Sequence, residues 1–182
     1  MSSKRGSRPP SSSADADRIE RLSPERAEAF IGLVRAGEVL TRELDAELRS
    51  THRLGLHAYE VLLHLAAFTP SGCLRMTGLA RQAPLSQSRV SRLVAELEQQ
   101  GLVRRSAVDG DGRAVDVTIT ERGRQVFAAA HPTHLDGLER RLFSRLSKVE
   151  MVQLAKITAK LLPERNLEAT RGGAPTRARS PR

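Results

Sequence analysis

Between Ser86 and Arg92 the chain reads Ser-Gln-Ser-Arg-Val-Ser-Arg, with hydrogen-bonding side chains surrounding a single valine. Arginine offers a planar fork that matches O6 and N7 of guanine, and serine and glutamine reach base edges or phosphate oxygens. The chemistry available here is recognition of a polyanion. A second group, Asp109-Gly110-Asp111-Gly112-Arg113, superficially resembles a calcium loop. Calcium is excluded, because Ala114 stands where the loop requires glycine and Thr120 replaces the closing glutamate. His131 and His134 lie three apart and, with His52, His57 or His64, have the ligand type for zinc; capping or dimer-contact roles account for them more simply. The sequence contains no phosphate-binding loop, no Gly-x-Ser-x-Gly and no paired-cysteine motif. No Ser/His/Asp grouping falls together either, so neither an enzyme nor a cofactor is expected.

The elements that must position these residues follow from spacing. Ser23-Pro24 reads as a helix start, and Phe30, Leu33, Val34, Leu40, Leu44 and Leu48 continue a helical stripe to about residue 50. A second helix covers about 57–68, with Val61, Leu62 and Leu65 inward, and Pro70-Ser71-Gly72 ends it. Thr77 can cap a short helix to Ala83, and Pro84 forces a turn. From Ser86, Val90, Leu93, Val94 and Leu97 form one apolar stripe, with Ser88, Arg92, Ala95 and Gln99 opposite and Gly101 as the stop. Positive and hydrogen-bonding groups thus gather in the N-terminal half of this helix, where its dipole also favours phosphate.

After Gly101, two strands flank the loop Asp109–Arg113, giving a hairpin. Helix, turn, helix and hairpin make a winged helix, from which Arg113 projects toward a minor groove or phosphate. Thr120 caps a further helix, with a break expected near Pro132 and a stripe of Leu135, Leu138, Leu142 and Leu146 beyond it. Ser147-Lys148-Val149-Glu150 is a capping box opening the last helix, which carries Met151, Leu154, Ile157 and Leu161 and stops at Pro163. The first and last helices carry apolar faces that the winged domain does not cover, and a second copy of the chain is the simplest partner. The fold class is therefore mainly α with a small β hairpin: a winged helix-turn-helix at 56–120, with dimerisation helices at 23–50 and 121–162.

Composition agrees. The 182 residues are 39% hydrophobic but only 3% aromatic, which favours packed helices over a sandwich of sheets. Net charge is +9, yet residues 23–162 carry only +4 of it. The remainder lies in two Ser-, Pro- and Arg-rich tails, 1–22 and 163–182, both expected to be disordered. With a lone Cys73, no apolar leader and no long apolar run, a reducing cytoplasm and no membrane span are expected.

Three stretches carry a family resemblance: HAYEVLLHLA at 57–66, RMTGLARQAPLSQSRVSRLVAELEQQGLV at 75–103 and DGRAVDVTITERG at 111–123. With the order of elements over about 25–162, they resemble the MarR (multiple antibiotic resistance regulator) family. The resemblance implies a two-fold dimer on a near-palindromic double-stranded DNA operator, whose affinity falls when a small-molecule effector enters a crevice beside the winged domain. It places the recognition helix at Ser86–Arg92 and an Asp-x-Arg wing signature at Asp111 and Arg113. Gly112 departs from the second basic residue that many members carry there. Peroxide-sensing relatives hold their cysteine near the start of the first helix, where this chain has none, so Cys73 is read as a buried or incidental cysteine. The expected DNA-contacting residues are Thr77, Ser86, Gln87, Ser88, Arg89, Ser91, Arg92, Asp111 and Arg113. Two competing readings are an architectural protein coating DNA through its basic tails, and an adaptor whose winged helix no longer binds DNA.

Overall fold

A proline at the first helical position gives up an N–H that would have no helical partner anyway. Helix α1 accordingly starts at Pro24 and runs to His52, with the Ser23 carbonyl accepting from the Ala27 amide at 3.0 Å. This computed structural model describes residues 23–83, 85–108 and 111–162; the tails read as disordered, and the expected stop at Pro163, lie outside the described residues. The described chain divides into two compact units between residues 39 and 40. In the first, the described chain exposes Phe30, Ile31, Leu33 and Val34.

The second unit holds the core. Leu44 and Leu48 of α1 are buried there, and α2 (Leu56–Ala67) buries Tyr59, Val61, Leu62 and Leu65. Gly55 has no side chain with which to cap α2, so Asp45 of α1 does it, accepting from the Leu56 amide at 2.8 Å and from Arg49 Nε at 2.6 Å. Burial pushes the Asp45 carboxyl up, but these two donors prevail and hold it below the usual range. α1 and α2 are thereby joined at a fixed corner.

The sheet has three antiparallel strands in the order β1 (Cys73–Arg75), β3 (Asp111–Ile119), β2 (Val103–Val108). The expected hairpin is therefore joined by a third strand, held by its register with β3 and by an Arg75–Asp116 ion pair at 3.0 Å. Helix α3 (Met76–Gln82) follows β1 without a loop. Its N-cap is Arg75, so Thr77 is the second helical residue and not the cap, because the strand end already supplies the extended residue a cap requires. Ala83, the residue before the proline, is extended as expected (φ −80, ψ 141). Of the loop read as Asp109–Arg113, Asp111, Gly112 and Arg113 belong to β3, with Val108 paired to Asp111, and Asp109 and Gly110 lie outside the described residues.

Helix α5 runs unbroken from Glu121 to Arg141, with Pro132 inside it. The expected break is absent because the amide that proline lacks would have served the Ala128 carbonyl, and both residues sit on the exposed side, where water can take its place. Thr120 caps α5: its hydroxyl accepts from the Gly123 amide at 3.0 Å and donates to the Gly101 carbonyl at 2.7 Å. Thr120→Ala is expected to lower stability by about 1–2 kcal/mol in urea unfolding, since it removes both bonds.

Tyr59, fully buried, shares a 2.7 Å hydrogen bond with His131 Nδ1 and packs on His134 at 4.4 Å between ring centroids. Burial pushes the Tyr59 phenol well above its ordinary value and the His134 imidazole below its own. These histidines join α2 to α5, and among the described residues no group of three or more His, Cys, Asp or Glu is placed to hold a metal. Helix α6 (Lys148–Leu161) opens on the capping box of Ser147 and Glu150. No helix among the described residues is long and apolar enough to cross a membrane.

Candidate nucleic-acid interface

Helix α4 (Gln87–Gln99) is positioned by its inner stripe, with Val90, Val94 and Leu97 buried in the core. The residues between them must face out, and Gln87, Ser88, Arg89, Arg92 and Gln99 are exposed, with Ser91 half-buried at the edge. Ser86 is the N-cap; its hydroxyl accepts from the Arg89 amide at 3.4 Å and lies 3.2 Å from the Ser88 hydroxyl. At the other end Gly101, with φ +71, closes a Schellman turn in which Leu102 N bonds Leu97 O and Gly101 N bonds Glu98 O. The helix is thus fixed at both ends while its first two turns present donors and two guanidinium groups outward. Thr77, also exposed, sits on the preceding helix α3.

Beyond Val103 the outer half of β2 is exposed on both faces, Arg104 through Ala107, because the hairpin leaves the body there. Val103, Val117 and Ile119 anchor its base in the core. The wing reading therefore stands on the backbone; the Asp111 and Arg113 side chains lie outside the described residues. Arg104 and Arg105 add cationic groups that spacing did not single out, although the Arg-Arg pair on an expected strand was a usable signal. Arg105 is engaged by Glu98 of α4, whose carboxylate takes the Arg105 backbone N–H at 2.8 Å and its Nε at 2.6 Å. Those bonds hold the Glu98 carboxyl below the ordinary range.

Beside α4 lies a cleft of about 510 Å³. Arg49 near the end of α1, Arg53 just beyond it, and Arg89 and Arg92 from α4 line it together with His57 and Glu96 over leucines that include Leu54, Leu85 and Leu93. Arg53 has φ 55, a left-handed conformation that costs a non-glycine residue about 1 kcal/mol. Arg89 and Arg92 thus belong both to the outward face of α4 and to the cleft. Sequence spacing missed the cleft, since Arg49 and Arg53 come from an element some 40 residues earlier.

The MarR family model matches residues 54–114. The HTH-type transcriptional repressor Rv2887 of Mycobacterium tuberculosis is 30% identical over 130 residues, spanning 71% of this chain and 89% of its own length. An uncharacterised HTH-type transcriptional regulator of Bacillus subtilis, YwaE, is 27% identical over 79% of this chain and 81% of its own. Among solved structures, Sco3205, a MarR family transcriptional regulator from Streptomyces coelicolor crystallised in complex with DNA, is similar with a TM-score of 0.74. It is 31% identical, over 77% of this chain and 87% of that one.

Proposed function

The chain belongs to the MarR family of transcriptional regulators, and from that premise we propose that it is a sequence-specific repressor that binds a pseudo-palindromic operator as a homodimer and is released by a small-molecule effector. The observation that carries this reading is the outward face of α4, where a capped N-terminus, Gln87, Ser88, Arg89 and Arg92 stand clear of a helix whose other side is locked into the core. Ser86 and Ser91 flank that face, with Thr77 on the helix before it. The wing, with Asp111 and Arg113, reaches the flanking minor groove, and 56–120 acts as the reading domain. Similarity to a regulator crystallised with DNA, and to relatives named as repressors, supports the reading.

Dimerisation is assigned to 23–50 and 121–162. Val149, Val152, Ile157 and Leu161 are exposed on α6, Val149 at 66%, and Phe30 is exposed at 62% on α1. Apolar residues at helical spacing on both terminal helices suit an isologous interface. The cleft beside α4 is the assigned effector site: an acidic ligand seated on apolar residues there would draw Arg89 and Arg92 away from DNA.

The test is selection from a random duplex pool against excess competitor DNA. A discrete site with two half-sites about one helical turn apart is the expected product. Enrichment of no sequence, with binding that collapses in salt, would favour the architectural alternative instead. Arg53→Gly addresses the cleft: it relieves a strained φ, so the fold holds, while release of the selected DNA by acidic aromatic compounds is expected to need several-fold more ligand. An unchanged release curve would remove the cleft from the mechanism.

A further inference from the structure

Glu98 stands in the last turn of the reading helix, a position where a carboxylate is poorly placed for binding a polyanion and unfavourable to the helix dipole. Both of its oxygens are committed to one residue: Oε1 takes the Arg105 main-chain N–H at 2.8 Å and Oε2 takes Arg105 Nε at 2.6 Å, with the two side chains 31% and 39% exposed. β2 is an edge strand, so an amide pointing away from β3 has no partner within the sheet. Glu98 therefore caps the open edge of the wing strand from the end of the reading helix. The contact sits two residues beyond Val103, the last buried residue before the hairpin leaves the body. We infer that Glu98 is a positioning residue that fixes the wing relative to the reading helix, so that both engage DNA in one geometry.

This inference rests on the reading that helix and wing bind DNA together, and it has a sign that simple charge does not share. Glu98→Gln deletes a negative charge beside the proposed interface and releases the Arg105 guanidinium. If Glu98 only masked Arg105, both changes would tighten binding. If it positions the wing, affinity for a duplex selected by the wild-type protein falls, by about five- to tenfold, because a charge-assisted two-point bond is lost. The base preference should weaken at the outer flanks of each half-site and persist at the centre.

The experiment compares wild type, Glu98→Gln, Arg105→Ala and the double variant by fluorescence anisotropy on the selected duplex. Amide hydrogen exchange over residues 103–119 is measured on the same proteins without DNA. Positioning is supported if both single variants bind more weakly, the double is no worse than either, and β2 and β3 exchange faster while α2 exchanges as before. Tighter binding by Glu98→Gln, or additive losses in the double variant, overturns it. The exchange arm stands without DNA: faster exchange in a protein that selects no duplex would fault the DNA reading and keep the tether, whereas unchanged exchange would remove the tether.

Discussion

Replacing Arg92 by alanine is expected to weaken binding to a selected operator duplex by about 1 to 3 kcal/mol and to relax the base preference at one position of each half-site. The side chain is exposed on the turn of α4 opposite Val90 and Val94, which are buried, so the substitution leaves the core untouched and thermal stability within about 0.5 kcal/mol of wild type. The two parts of the expected result separate two chemistries. A guanidinium that forks onto a guanine loses discrimination when removed; one that only neutralises phosphate weakens all duplexes alike and lowers the salt dependence by about one counterion. Repeated selection with the variant, alongside titrations at several salt concentrations, reads both. Unchanged affinity together with an unchanged sequence profile would sink the assignment of Arg92 as a reader. Because Arg92 also lines the cleft, the same variant should respond less to an acidic effector, a coupling that a purely DNA-facing arginine would not show.

The local parts of this site are legible in the sequence, and the parts built by contact at a distance are not. The inner stripe of α4, its Ser86 cap and its Gly101 stop are decided within 16 residues, since helical periodicity and capping act over one to four positions. β1 has only three residues, too few to show alternation, and is a strand because β3 lies beside it. Thr77 has the residue type of a cap, but the strand that runs into α3 already supplies one in Arg75. Pro132 carries a strong local signal for a break, yet α5 continues through it, with Pro132 and Ala128, the residue whose carbonyl it leaves without an amide, both exposed. The cleft needs Arg49 and Arg53 brought against Arg89 and Arg92, and the Asp45 cap that sets the corner between α1 and α2 spans 11 residues. Glu98 and Arg105 are seven apart across a helix end and a strand, a spacing with no regular periodicity to flag it.

The base of the wing is the place where a single methyl group should do most damage. Gly123 is the third residue of α5 and donates its amide to the Thr120 cap. A Cβ at this position would overlap the Leu102 carbonyl oxygen and come within 2.8 Å of Ile119 Cγ1. Neither can retreat freely: the Leu102 carbonyl accepts from the Thr120 amide at 3.0 Å, its amide bonds Leu97 O at 2.9 Å, and Ile119 is buried and paired with Val103. Gly123→Ala is therefore expected to destabilise the protein by about 3 kcal/mol in urea unfolding, despite the better helix propensity of alanine. Gly37 is the control. It too lies inside a helix, within the segment assigned to dimerisation, but inside its own protomer nothing stands within 4 Å of an added Cβ, so on the chain's own contacts Gly37→Ala should stabilise by about 0.5–1 kcal/mol. The opposite signs isolate packing from propensity, because the chemical change is identical and only the neighbours differ. The crossing of α5 over Leu102 also sets where β2 leaves the body, so in the fraction of Gly123→Ala that remains folded the wing must shift. Its affinity for the selected duplex should fall even at temperatures where the variant is fully folded. A Gly123→Ala protein that gains stability as Gly37→Ala does, with DNA affinity intact, would show that the close approach at Leu102 is not what holds the wing in place.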